Sequence, residues 1–534
     1  MFTNEKIVEH KICRQCQNKF EITNIDFEFL DKLSPIIAWQ KYTIPSPSMC
    51  PDCRKIQRLA WRNEKNIFKR KCDKSGKEII AIFPPDSPFT IYNENLWNSD
   101  IWDAKDYWKK FDFNRPFFEQ FHELILQVPV ASKASVSCDN SDYCNACTSL
   151  KNGYLCFSAN ASENVLYSVD IVRVNDSVDC FGAMNCEQCY ECIVATGCYH
   201  VEYSYDVKNC RDSHFLLSCD GCSDCYGCFH LTNSRFQIYN IQYSEGEYLK
   251  KVSELKKISL SEQKKQFEAF HRGKYLKIPL PNIGSENVID SENVVNSQNV
   301  SHSRYIRDAQ NIRYCQKMQV PIVNLAMDYT WFGNHTEKIY FAQQVGNNAM
   351  NICFAVGVFG EVSNILYSIN CRDNTHDCFW CAGLRNSSYC ILNREYSREE
   401  YEELIPRIID HMKRTGEWGE FFPATLSPYW YDHTVCQIIE PLTEANAIKH
   451  WFNWSGYESP FPKVEKIIKA NMLPEDISKI PDDILNWAIE CEVTKKPFRI
   501  IKQELEFYRK HNIPIPRRHP DQRYIDRLQW HFNY

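Results

Sequence analysis

Two cysteine pairs, Cys13-Arg-Gln-Cys16 and Cys50-Pro-Asp-Cys53, carry the clearest chemistry in the sequence. Two CxxC knuckles supply four thiolates, the ligand set of tetrahedral zinc, and four protein ligands leave no open position for catalysis. The spacing predicts one structural zinc site, with unliganded thiols as the alternative. A basic tract follows at once: Arg54, Arg58 and Arg62, then Lys69, Arg70 and Lys71. Residues 54 to 71 hold 8 Lys and Arg against one Glu. This predicts a basic helix beside a zinc ribbon. Such a surface holds nucleic-acid phosphates, faces solvent, or docks on an acidic neighbour.

The C-terminus repeats this module in eroded form. Cys491, Thr494, Phe498 and Ile500 match Cys13, Cys16, Phe20 and Ile22. Ile513-Pro-Ile-Pro through Trp530 matches Ile44-Pro-Ser-Pro through Trp61, with His519 and Gln522 where Cys50 and Cys53 stand. Thr and Gln are not among the usual zinc ligands, so no tight site is expected there. The basic residues persist as Arg517, Arg518, Arg523 and Arg527. Arginine kept while thiolates are lost points to an interaction surface. Cys72-Asp-Lys-Ser75 looks like a further knuckle with one thiolate left, and no metal is expected on it.

The elements between these modules follow an unusual period. From Cys138 to Ser234, in steps of three residues, 14 of 33 positions are Cys and the rest are Ser, Val, Ala, Leu, Ile or Gly. The other two phases contain no Cys, an accident of about one in a million by template counting. Three is neither the helical nor the strand period. A twelve-residue period lies on top, so that Phe157, Val169, Phe181, Ile193, Tyr205, Leu217 and Phe229 form one row. Such a short fixed period marks a solenoid whose units bury nothing alone. The expected fold is a narrow β-solenoid with one coil per twelve residues and one residue in three pointing inward. At about 4.8 Å per stacked strand, eight coils make a rod of roughly 38 Å. The pattern resembles the tight twelve-residue β-helix of beetle antifreeze proteins but lacks their outward Thr-x-Thr rows, so ice binding does not carry over.

The words Cys225-Tyr-Gly-Cys228 and Tyr243-Ser244 return as Cys378-Phe-Trp-Cys381 and Tyr396-Ser397, which indicates an internal duplication. Ser244 and Ser397 each cap a charged helix; the first opens a Lys- and Glu-rich linker ended by Pro279 and Pro281. The second solenoid begins at Ser285 and keeps the three-residue step to Met318. Its coil starts are Asn287, Asn299, Asn311, Asn324, Lys338, Asn351, Asn364 and Asp377, with spacing of 13 or 14 after Asn311. Its aromatics Tyr329, Trp331, Phe332, Tyr340, Phe341 and Trp380 mark irregular coils that either bind something or pack on a capping helix, the latter favoured. The helix expected after Asp112, with an Asp or Asn cap and Pro116 early in it, would cover an open solenoid end.

The expected fold class is mainly β with flanking α. Its domains are a zinc ribbon with basic helix (1–66), a degenerate ribbon and capping helix (67–137), a first β-solenoid (138–243) and a helical linker (244–282). A second solenoid (283–396), a helix and aromatic wrapping segment (397–480) and a degenerate zinc-ribbon-like module (481–534) follow. Composition suits burial: 44% of residues are apolar and the net charge is −6. Residues 138 to 234 carry 13 Asp and Glu against 4 Lys and Arg. The first residues do not look like a signal peptide, and no apolar run reaches membrane-spanning length. A soluble cytoplasmic protein is expected, with 27 Cys as small buried groups rather than disulfides.

Cys219-x-x-Cys222-x-x-Cys225-x-x-Cys228 imitates a ferredoxin cluster run, but every gap is equal and the closing Pro is missing. The lattice also places Cys198 inside, away from catalytic pairing with His200. No phosphate-binding loop, serine elbow or dinucleotide fingerprint occurs. The ribbon, the Trp97-Asn-Ser-Asp-Ile-Trp102 and Asp112-Phe-Asn-Arg-Pro-Phe-Phe segments, the Cys ladder and the Cys491 to Arg527 module together resemble a family of uncharacterised proteins. That family is associated with ultra-small candidate-phylum bacteria; the resemblance implies architecture and brings no activity or ligand. The expectation is a non-enzymatic, zinc-containing scaffold offering solenoid surfaces to an unknown protein partner. The alternatives are a nucleic-acid-associated (RNA or DNA) factor using the basic modules and a thiol-redox or metal-storage protein.

Overall fold

A computed structural model of the chain describes residues 4–275, 282–315, 323–328, 336–340, 342–346, 348–461 and 463–533. Met318, Tyr329, Trp331, Phe332, Phe341, Pro279 and Pro281 lie outside the described residues, as does the side chain of Trp530. The fold is mainly β, a solenoid of about 19 turns with 11 α-helices among the described residues. Two compact units divide it. One joins Met1–Ser132 to Ile278–Tyr457, and the other joins Lys133–Lys277 to Glu458–Tyr534. Each unit thus combines one run of coils with a knuckle module from a distant part of the chain.

In the second of these units, strands stack in parallel at a constant offset of twelve residues. Phe157 pairs with Val169, Val169 with Phe181, Phe181 with Ile193, Ile193 with Tyr205, Tyr205 with Leu217 and Leu217 with Phe229. The expected row is therefore real, and the Cys lattice lines the lumen, with Cys144, Cys180, Cys192 and Cys225 all at 0% exposure. The residue before every lattice position except Cys144 holds a left-handed backbone, including Leu155 (φ 50°), Tyr167 (52°), Val194 (53°) and Phe215 (57°). Apart from achiral Gly, only Asn and Asp visit that region with any ease, so the stacked ladder must over-determine the chain path. Asn fills many of these positions and builds an amide ladder, Asn140 to Asn152 to Asn164 to Asp176, at 2.9, 2.9 and 3.0 Å.

The lumen explains why Ser and Cys recur. Ser177 Oγ donates to Asn175 O (2.7 Å) and accepts from the Cys189 N–H one coil on (3.0 Å). Ser162 and Ser168 accept from Val174 N–H and Cys180 N–H, and Cys144 Sγ accepts from Cys156 N–H at 3.4 Å. An inward N–H has no water to meet, so a small acceptor on the preceding coil supplies its partner. Packing and hydrogen bonding select the same side chains.

The coils of the first unit are less even. Offsets are 12 residues from Gln298 to Gln310, 14 from Gln310 to Asn324, 13 through Ile352 and Ile365, and 12 from Cys378 to Cys390. The Asn287, Asn299, Asn311 and Asn324 side chains form a second amide ladder. Trp380 lies at 0% exposure against Phe111 and Phe117, and Tyr340 packs on Phe354, so both described aromatics serve packing.

The helix expected after Asp112 runs Phe117–Gln127, and two details differ from expectation. Its N-terminal cap is Glu417, whose carboxylate accepts from Phe117 N–H and Phe118 N–H at 2.9 and 2.8 Å. Asp112 instead accepts from Asn114 N–H. The helix falls in the same unit as the later coils, and its rings pack on Tyr367, Trp380 and Phe422. Both expected serine caps are present, at Glu245–Leu255 and Arg398–Thr415. No helix among the described residues is long and apolar enough to cross a membrane.

Candidate metal centre and the arginine clasps

Ile7–Ile12 and Lys19–Thr23 form an antiparallel hairpin whose tip is Cys13-Arg-Gln-Cys16. Cys13 N–H donates to Asn18 O (2.9 Å), Gln17 N–H returns to Cys13 O (3.0 Å), and Gln17 takes a left-handed φ of 62°. The same knuckle recurs twice. Cys72 N–H bonds Lys77 O with Gly76 at φ 70°, and Cys491 N–H bonds Lys496 O with Lys495 at φ 61°. Cys50 precedes the helix Pro51–Leu59, with Pro51 in its first turn, where a proline loses no helical bond. Cys53 lies in that turn too. The helix N-terminus favours negative charge on both sulfurs.

The four Sγ atoms of Cys13, Cys16, Cys50 and Cys53 lie within 4.8 Å of one another. Zinc–sulfur bonds of about 2.3 Å place tetrahedral sulfurs about 3.8 Å apart; Cys16 Sγ and Cys50 Sγ are 3.8 Å apart. The cage therefore fits a tetrahedral thiolate-bound cation after a small contraction. Cys13 and Cys50 are buried while Cys16 and Cys53 are half-buried. A bond from the Cys53 thiol holds Cys50 down to about 5, and the same contact pushes Cys53 up. Among the described residues this is the one cluster of metal-ligating side chains. Cys491 Sγ accepts from Thr494 N–H, while Gln522 gives its amide to Asp526.

The basic surface expected at Arg54, Arg58, Arg62, Arg523 and Arg527 requires correction, because all five side chains are inside. Their exposures are 1, 1, 4, 5 and 6%. Arg54 and Arg58, one helical turn apart, both meet Asp328 at the end of strand Val323–Met327; the Arg58 contact is 3.2 Å. Arg62 pairs with Glu64 at 3.1 Å. Burial lowers Arg58, while Asp328 opposes that and lifts Arg54 above the usual guanidinium range despite burial. A second buried contact, Arg313 to Asp26 at 2.7 Å, joins the Asn24–Leu33 helix to the same coils.

Arg523 and Arg527 repeat this arrangement on the C-terminal helix Pro520–Asn533. Both meet Asp179, which follows strand Asn175–Val178 and is fully buried; the Arg527 contact is 2.8 Å. Arg523 also meets Glu504 at 3.4 Å, and Tyr167 and Tyr508 each donate to Glu504 at 2.8 Å. Two carboxylates thus face two guanidinium groups. Burial raises Glu504, and burial opposes the charge of Arg523 while Asp179 restores it. Neither acidic partner was legible in the sequence, since each is one Asp or Glu among many. The one signal was the Arg pair at i and i+4 repeated in both modules.

Of the remaining expected cations, Lys69 and Lys71 are exposed on strand Phe68–Lys71, and Arg70 bonds Pro84 O and Asp73. The solenoid thiols are hydrogen-bonded to carbonyls, as Cys192 Sγ is to Tyr190 O and Val201 O. Burial pushes Cys180 up to about 12 and Cys192 up to about 11, whereas hydrogen bonds from neighbouring thiols, Cys147 first, hold Cys144 down to about 4 and likewise lower Cys222 and Cys228. Cys198 is inward at 2% exposure, and His200 faces Asp212 at 2.9 Å. No family model matches this chain, and no curated protein matches it either.

Proposed function

We propose that the protein is a non-enzymatic scaffold that holds one structural zinc and displays the uncovered faces of two duplicated, clasped solenoids to a protein partner. The observation that carries this reading is the paired use of arginine. Arg54 and Arg58 close on Asp328, and Arg523 and Arg527 close on Asp179. Each knuckle module is thereby a fastener of its own coils, and its strongest cations are unavailable to phosphates. Where Cys13, Cys16, Cys50 and Cys53 hold zinc, they fix the hairpin to the N-terminus of the helix that carries Arg54 and Arg58. Zinc supplies no open coordination position in such a site.

The test is metal content by elemental analysis of anaerobically purified protein, together with gel shifts on duplex DNA and single-stranded RNA at low salt. About one zinc, no iron and no shift are expected. Stoichiometric iron or several metals per chain would move the chemistry to the Cys ladder. A shift abolished by Glu at Lys69, Arg70 and Lys71 would restore the nucleic-acid reading instead.

A further inference from the structure

The hairpin Ile36–Ile37 and Gln40–Lys41 turns through two residues, Ala38 (φ 47°) and Trp39 (φ 64°). A two-residue turn with positive φ at both positions favours Asn-Gly, whose side chains tolerate that region. Ala-Trp is a poor sequence for it, and such strain persists where the surroundings over-determine it, as along the coils. The base is fastened: Tyr42 N–H bonds Pro35 O at 2.9 Å, and Lys41 Nζ meets Asp31 at 2.6 Å. The result holds Trp39 at 95% exposure.

Beneath Trp39 lies a cleft of about 330 Å³. Leu33, Leu366 and Tyr401 form its buried floor. One wall is the amide ladder Asn351, Asn364 and Asp377, joined at 3.0 and 2.9 Å. Asn364, which lines the cleft, gives one N–H to Asp377 and accepts from Asn351, so the ladder uses one of its two donors and one of its two lone pairs. Tyr389, Arg398 and Glu402 complete the rim, the last two paired at 2.8 Å.

We propose that this cleft binds a neutral saccharide. A hydroxyl donates and accepts at once, which is what an amide with one N–H and one lone pair matches. The C–H face of a sugar ring stacks on a rigid indole, a large contact surface with few rotatable bonds. The single cation, Arg398, is set against Glu402 and Asp377, so the rim offers nothing to a phosphate or other polyanion. The volume lies at the low end for ligand sites and suits a short glycan segment. This inference goes beyond the scaffold reading and stands on the cleft alone.

The test uses the zinc-loaded full chain in native gels cast with soluble xylan, glucomannan, hydroxyethylcellulose, starch or glycol chitin. Retardation by at least one polymer is expected, with at least a tenfold affinity loss in Trp39→Ala and no loss in Trp108→Ala, another exposed indole (51%). Removing so exposed a side chain leaves the core intact, which circular dichroism checks. No retardation by any of the five polymers overturns the proposal, as does equal retardation of wild type and Trp39→Ala. Sedimentation with phosphatidylcholine–phosphatidylglycerol vesicles, lost in Trp39→Ala and without gel retardation, would overturn it in favour of a membrane anchor.

Discussion

Replacing Asp179 by Asn removes one charge from a sealed network at nearly constant volume. Asp179 has no exposed side-chain surface, and its partners Arg523 and Arg527 are 4 and 7% exposed. After the change, Arg523 keeps Glu504, Arg527 keeps the neutral Tyr167 O, and the new amide N–H₂ points donors at donors. Breaking one side of a buried ion pair costs about 3–5 kcal/mol, which at about 1.4 kcal/mol per decade is roughly 150- to 5,000-fold in an opening equilibrium. The C-terminal helix carries both arginines, so its amides should lose that much hydrogen-exchange protection, while the strand Ile193–Thr196 serves as internal reference. Unchanged protection of the Pro520–Asn533 helix would refute the clasp. Replacing all four charges together (Asp179→Leu, Glu504→Gln, Arg523→Met, Arg527→Met) should recover most of the loss, since the penalty comes from orphaned charge.

Three further outcomes follow from the same geometry. Ser177→Ala orphans the inward Cys189 N–H and should cost about 1–3 kcal/mol in denaturant unfolding, whereas Ser177→Cys, which keeps an acceptor as Cys144 does, should cost less. Equal losses would mean that the lumen is chosen by size alone. Native thiol titration with metal bound should report chiefly Cys138, the half-buried Cys outside the four-sulfur cluster, and rise on chelation as Cys13, Cys16, Cys50 and Cys53 are released. Many fast thiols in the folded protein would favour thiol chemistry in the ladder. Burial lowers His214 below its ordinary 6.5; its Nδ1 faces Glu202 at 3.1 Å, its Nε2 meets Lys256 Nζ at 2.7 Å, and the His200 and Tyr226 rings lie edge-on and tilted at 6.1 and 6.3 Å. A depressed folded-state value gives stability present above the unfolded value and lost as pH falls through the folded one. Acidification from about pH 7.5 to about pH 5 should therefore loosen the Glu245–Leu255 helix, and His214→Gln should flatten that dependence; an unaltered slope in the variant assigns it to other groups.

By itself the sequence determined whatever repeats locally. The three-residue lattice, the twelve-residue row from Phe157 to Phe229, the irregular coils after Asn311, the serine caps and the four-cysteine cluster were legible because each repeats a rule within a few residues. Periodicity is a local code, and one coil tells the next where to lie. Tertiary structure decided what the charges do. Arg54 and Asp328 are 274 residues apart, and Arg523 and Asp179 are 344 apart; the sequence leaves such arginines open between holding phosphates, facing solvent and docking on an acidic neighbour, and does not name the carboxylate. It also decided that Glu417 caps the helix at Phe117, that each knuckle module belongs with coils distant in the chain, and that a strained Ala-Trp turn stands over an amide ladder. Burial turns a charge from a surface feature into a constraint, because it leaves water only where an opposite charge and hydrogen bonds await it. That partner is found by the fold, and the local sequence around an arginine carries no sign of it.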